Sequence, residues 1–189
     1  MGTERAAWLE RRFGAVIEIH PFDLHPEYPP EGIDREERLR RFPPGAQEHV
    51  RQMIVESGLP EPNPPAVIPN TMPALALTAY AGAQQGGAKP LHDLLFRRYW
   101  VDGHDVSQDG VLLGAAEEVG LDRAAAVDVL TDPYWAEVVR GETVQAQAMG
   151  AGGVPAWVID GRVLIPGAQP HELFERVLDK LGHAPASGS

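Results

Sequence analysis

Cysteine is absent from the 189 residues. A chain of this sequence forms no disulfide, thiolate zinc site or iron–sulfur cluster, and it offers no cysteine nucleophile. Basic charge is scarce. Lys and Arg total 16 against 27 Asp and Glu, for a net charge of −11. A duplex nucleic-acid binder carries a basic face, so no nucleic-acid partner is expected. No apolar run approaches the roughly 20 residues that span a bilayer, so no membrane partner is expected either. The opening Met1-Gly2-Thr3-Glu4-Arg5 lacks the apolar core of a signal peptide, which makes the cytoplasm the expected location. Ala6 stands where a myristoylation motif wants Ser or Thr.

What is present has a globular balance, 43% apolar and 23% charged, in a length suited to one domain or a small domain with an insertion. Twenty glycines and 18 prolines punctuate it, so element boundaries can be read from the chain. Residues 4–13 read as a helix with Trp8, Leu9 and Phe13 apolar and Gly14 as its stop. Ala15–Phe22 reads as a strand, from the β-formers Val16, Ile17 and Ile19. Residues 23–33 read as a loop, and 34–42 as one or two helical turns. Pro44-Gly45 opens a helix to about Glu56, and 59–69 is an extended connection. Asn70 or Thr71 caps a helix to about Gln85, with Pro73 in its first turn. Pro90 starts another, with Leu91, Leu94, Leu95 and Tyr99 at helical spacing. Ser107, Asp122 and Asp132 read as caps of three more, the last entered through Pro133 and ending near Met149. Then the texture changes. Gly150–Gly153 is a turn, Val154–Asp160 a strand, Asp160-Gly161 a hairpin turn and Arg162–Ile165 the returning strand. Gln169-Pro170 opens a last helix with Leu173, Phe174, Val177, Leu178 and Leu181 on one face.

Few residues carry chemistry. The seven histidines show neither the i, i+4 pairing nor the clustering of a metal site, so no metal ligand is assigned. His20, at the exit of the expected strand, reads as a packing residue. Gly150–Gly153 lacks the Lys-Ser/Thr and following helix of a phosphate loop. No Gly-x-Ser-x-Gly elbow is present, and Glu117 and Glu118 read as a solvent face. The most specific segment is Gly153-Val154-Pro155-Ala156-Trp157-Val158-Ile159-Asp160-Gly161-Arg162. Its Val-Pro peptide is either a cis proline that turns the Val154 backbone outward, or a trans proline that starts an edge strand; these residues alone leave both open.

Four stretches together resemble one family. They are Glu18 to Pro26, Asn70-Thr71, Leu95-Phe96-Arg97-Arg98-Tyr99-Trp100-Val101-Asp102-Gly103-His104-Asp105, and Gly153-Val154-Pro155 through Gly167-Ala168-Gln169-Pro170. The chain resembles the DsbA-family thioredoxin-like proteins, in their FrnE-like branch. The resemblance implies an α/β (α+β) fold, a thioredoxin-like domain with a large helical insertion. Residues 1–30 and 150–182 would form the thioredoxin-like part, 31–149 the insertion and 183–189 a tail. It implies thiol–disulfide oxidoreduction, with a thiol or disulfide peptide held against Val154 and Pro155. No cofactor is implied.

The family's first strand and its Cys-x-x-Cys pair have no counterpart here, so no catalytic residue is assigned and this cysteine-free form is expected to be redox-inactive. Met1-Gly2 falls just past the place of that motif. An internally placed start, a deliberate truncation and a cysteine-free relative each account for it. The resemblance also reaches the glutathione-binding kappa transferases and 2-hydroxychromene-2-carboxylate isomerases. Their ligand sites correspond to Val154 and Pro155, less strongly to Asn70 and Gln169. A non-catalytic peptide-binding module is the third reading. Without its central strand the family's sheet has unpaired edges, so homodimerisation through sheet edges, or a rearranged sheet, is expected.

Overall fold

The computed structural model describes residues 2–41, 45, 48, 51, 52, 54, 55 and 60–186. The chain divides into two compact units, Met1–Ile17 with Val144–Ser189, and Glu18–Thr143. The second is thus inserted in the first. The divisions fall at 17/18 and 143/144, where the sequence alone suggested 30/31 and 149/150.

In the discontinuous unit, helix α1 (Gly2–Phe13) buries Ala6 and Leu9. Gly14, at φ +64°, ends it, and its N–H donates to the Glu10 carbonyl at 2.9 Å. A left-handed residue is where a helix of L-residues stops most cheaply. Strands β3 (Ala156–Ile159) and β4 (Val163–Pro166) form an antiparallel pair in which Trp157 faces Ile165 and Ile159 faces Val163. Asp160 and Gly161 turn the hairpin with φ of +53° and +64°, and Arg162 N–H donates to the Ile159 carbonyl at 2.9 Å. Two positive φ values in succession match the twist of the flanking strands. The turn uses up Arg162, so the return strand starts at Val163, one residue later than the sequence suggested. Helix α8 (His171–Leu181) buries Phe174 and Leu178, which pack with Leu9 and Ile165 into this unit's core.

The inserted unit is mainly helical. Strands β1 (Ile33–Asp34) and β2 (Val67–Ile68) make a two-residue antiparallel ladder that the sequence reading gave as loop and connection. Gly32, at φ +75°, permits it: a Cβ there would stand 2.5 Å from the Ile68 carbonyl oxygen. Asp34 then caps α2 (Arg35–Leu39), accepting from Glu37 N–H at 2.7 Å. Helices α3 (Met72–Gly82), α4 (Lys89–Trp100), α5 (Asp109–Glu118) and α6 (Arg123–Thr131) pack around Leu77, Leu91, Leu112 and Ala126. Helix α7 (Pro133–Ala148) begins in this unit, with Asp132 accepting from Tyr134 N–H. The expected helix from Pro44 to Glu56 falls largely outside the described residues.

Three readings are corrected. Ala15–Phe22 forms no strand. β-Propensity does not make a strand without a neighbour to bond to, and Val16 is 89% exposed. Ser107 caps nothing; α5 begins two residues later. Asp105 instead accepts from both the Ser107 N–H and hydroxyl, at 2.9 and 2.7 Å. His20 does not pack. Its side chain is 69% exposed and its Nδ1 lies 3.1 Å from Glu142 Oε2.

Candidate functional site

The Val154–Pro155 peptide bond is cis. The Pro155 carbonyl is taken by Gly167 N–H at 2.7 Å, which ties the loop to the end of β4. Val154 itself is 54% exposed, and among the described residues no hydrogen bond engages its N–H or C=O. An exposed pair of backbone groups next to a strand can accept one residue of an extended chain.

The start of α1 lies against this loop: a Cβ added to Gly2 would stand 3.7 Å from Pro155 Cβ. One helical turn on, Arg5 Nη2 donates to the Gln169 carbonyl at 2.7 Å. Gln169 Nε2 donates to the Pro166 carbonyl at 2.9 Å, so Gln169 is committed to the link between β4 and α8. The Arg5 guanidinium carbon lies 5.7 Å from the Trp8 ring centre and 5.4 Å from that of Phe174. Among the described residues, its buried Nε and Nη1 have no hydrogen-bond partner, and neither has Trp157 Nε1. His171 stacks on Trp8 at 4.1 Å, and its Nε2 is 3.7 Å from Glu4 Oε1, beyond hydrogen-bond length. The two aromatic faces offset part of the missing partners of Arg5 through cation–π attraction.

Of the four residues singled out from sequence, Val154, Pro155 and Gln169 share the discontinuous unit. Asn70 belongs to the inserted unit, where both ends of its amide are used. Its Nδ2 donates to the Tyr28 carbonyl at 2.7 Å, and its Oδ1 accepts from Met72 N–H at 2.9 Å. That arrangement opens α3 and occupies one donor and one acceptor of the amide. Sequence reasoning missed Gly2 and Arg5, because no local pattern separates them from the ordinary first turns of a surface helix.

The inserted unit has a cleft of about 510 Å³ between α4 and α5. Arg98 crosses it, donating to Glu118 Oε2 at 2.8 Å and to the Val111 carbonyl. Gly114 makes room for that guanidinium, since a Cβ would stand 3.5 Å from Nη1. Nearby, burial opposes ionisation of Asp105, but the bonds from Ser107 and Gln108 outweigh it and hold the carboxyl below its usual range. Asp93 behaves alike: burial raises it, and His92 and Lys89 bring it down further. Burial pushes the Tyr99 hydroxyl up, against the Arg35 guanidinium that bonds it. These groups brace helices. Among the described residues no three His, Asp or Glu side chains are placed to hold a metal ion. No described helix is long and apolar enough to cross a membrane.

The hairpin, the cis proline and the flanking helices α1 and α8 define a thioredoxin-like fold of the DsbA type. The DSBA-like thioredoxin domain family matches residues 2–179, and the chain belongs to that family. Protein YwbO of Bacillus subtilis strain 168, whose function is uncharacterised, is 25% identical over 178 residues, spanning 92% of this chain and 87% of that protein. Among solved structures, a probable DsbA oxidoreductase from Streptomyces coelicolor superposes with a TM-score of 0.73 at 23% identity, over 89% of this chain and 76% of that one. A 2-hydroxychromene-2-carboxylate isomerase gives 0.75 at 19% identity, over 95% and 88%. A putative protein disulfide isomerase from Nitrosomonas europaea gives 0.63 at 16%, over 79% and 78%. At these identities the structural likeness is one of fold.

Proposed function

We propose that this chain is a binding member of the DSBA-like family. It holds an extended thiol- or disulfide-bearing peptide along Val154 and exchanges no thiol itself. The observation that carries this reading is the pairing of an exposed, unbonded Val154 backbone with a chain that contains no cysteine. Thiol–disulfide exchange needs a thiolate to attack, and these residues provide none. Peptide capture needs only backbone groups and a shaped edge.

Two measurements test it together. In an insulin-reduction assay with dithiothreitol, the protein is expected to leave the background rate unchanged; a rate clearly above background overturns the non-catalytic part. In calorimetry with a short, uncharged disulfide-containing peptide, binding is expected. Val154→Pro, which removes the N–H, is expected to abolish it. Equal binding by that variant overturns the site.

A glutathione-binding reading has one observation in its favour. The partly unpartnered Arg5 cation lies one helical turn from the Gly2–Pro155 contact, and glutathione carries carboxylates. Calorimetry with glutathione, and its loss in Arg5→Met, separates this reading from the first.

A further inference from the structure

The cleft between α4 and α5 holds two ion pairs in opposite condition. Its lining carries two guanidinium groups, Arg97 and Arg98, and two carboxylates, Asp102 and Glu118. Arg98 and Glu118 are closed on each other at 2.8 Å, and the guanidinium is also bonded to the Val111 carbonyl. Arg97 and Asp102 stand apart, with Arg97 Nε 3.9 Å from Asp102 Oδ2, beyond hydrogen-bond length. Among the described residues no hydrogen bond engages either side chain. The backbone beneath them is well anchored. Asp102 N–H donates to the Arg97 carbonyl at 3.1 Å and His104 N–H to the Arg98 carbonyl at 2.8 Å, so one helix end carries both groups.

Beyond these charges and the exposed His104, the lining is apolar or bare. Leu94 and Val111 are partly buried against the helical core. Gly110 and Gly114 lie one turn apart on α5. Gly114 makes room for Arg98, but a Cβ at Gly110 would meet nothing within 4 Å. Glycine weakens a helix, and packing gives no reason for one at 110; its effect is to leave the flank of α5 open. The volume of about 510 Å³ suits a small molecule. The formal charges of the lining cancel, which selects the kind of molecule. A simple anion would meet Arg97 and leave Asp102 unpaired beside it, and a simple amine would do the reverse. An α-amino acid has its ammonium and its carboxylate on one carbon. Its carboxylate accepts from the Arg97 fork and its ammonium donates to Asp102, two charge-assisted hydrogen bonds where the free side chains have none.

We propose that this cleft binds a free α-amino acid with a large apolar side chain, its head on Arg97 and Asp102 and its side chain against Leu94 and Val111. The head alone would leave most of the volume unfilled, which is why the side chain is large. Both charged groups can be reached, with the Arg97 side chain 72% exposed and that of Asp102 35%. Binding breaks no bond of the fold, since the Arg98–Glu118 brace stays closed. Every residue involved belongs to the inserted unit, so the site is independent of the reading at Val154.

Amide NMR titration of the isotope-labelled chain tests this with three probes. They are L-phenylalanine, N-acetyl-L-phenylalanine, which lacks the ammonium, and L-phenylalaninamide, which lacks the carboxylate. L-Phenylalanine is expected to shift amides within residues 94–118. Saturation is expected with a Kd on the order of 1 mM or tighter. Each blocked form is expected to bind at least about tenfold more weakly, for the loss of one charged hydrogen bond. No saturable shift at millimolar concentrations overturns the proposal, and so does saturation centred outside those residues. Equal binding by either blocked form overturns the amino-acid class. Asp102→Asn removes a charge but no hydrogen bond of the fold. It is expected to weaken L-phenylalanine about tenfold and to leave the weak binding of the N-acetyl form unchanged. Undiminished binding of L-phenylalanine by that variant overturns the site. Failure of peptide binding at Val154 leaves these outcomes unchanged.

Discussion

A carboxylate with several donors behaves differently from one facing water. Asp105 accepts from the Ser107 N–H and hydroxyl and from Gln108 Nε2, and its carboxyl is held below the usual range against the effect of burial. A depressed carboxyl stabilises the fold above its unfolded pKa, and that stability is lost as the pH falls through the folded value. Asp105→Ala is therefore expected to lower stability by about 1 kcal/mol near pH 7, with solvent screening limiting the effect. The gap between variant and parent should close below about pH 4 in denaturant titrations. A gap that persists at low pH excludes the charge as its source. Phe174, fully buried beneath Trp8 and Trp157, is a different kind of residue. Phe174→Ala is expected to cost about 3–5 kcal/mol through the cavity it leaves, read as a fall in the denaturation midpoint.

The elements show how far local chemistry reaches. Helix α6 could be read from Asp122, which accepts from Ala125 N–H at 2.8 Å, and α7 from Asp132-Pro133. The Asp160-Gly161 turn was equally plain, because two left-handed residues in succession have few other uses. The segment from Ala15 to Phe22 misled for the opposite reason. Its composition suits a strand, but a ladder is a property of two segments, and none of the described residues pairs with it. The β1–β2 ladder escaped notice because two residues carry no periodicity. Its imprint is Gly32, where both the backbone angle and the approach of Ile68 exclude a side chain. Gly32→Ala is expected to destabilise by about 2 kcal/mol or more. Gly161→Ala, also at positive φ but with open space around the added carbon, should cost only about 1 kcal/mol. Similar melting temperatures for the two variants would show that the close approach at Gly32 is readily relieved.

At the scale of the whole molecule there are two cores. One gathers around Phe174 and Leu178, the other around Leu77 and Leu112. Amide exchange in Phe174→Ala is expected to rise in β3, β4 and α8 while α3 to α6 keep their protection. A uniform rise would mean that the two cores open together. The helical block and the ββα end could be read from the order of turns and apolar faces. Gly2 against Pro155 could not, since that contact joins the first described residue to one near the far end of the chain and leaves no local trace.

The two ends of the inserted unit are linked to each other. Asp23 N–H donates to Thr143 Oγ1 at 2.9 Å, and His20 lies 3.1 Å from Glu142. An insertion whose entry and exit segments are tied side by side makes little demand on the frame that carries it. The entropy of holding two chain ends together grows only with the logarithm of the length between them. Evolution, or an engineer, can therefore lengthen, exchange or delete that block while the surrounding domain keeps its own core. On this view the junction at His20–Asp23 and Glu142–Thr143 is a splice point. A chimera joined there should fold around a different helical block.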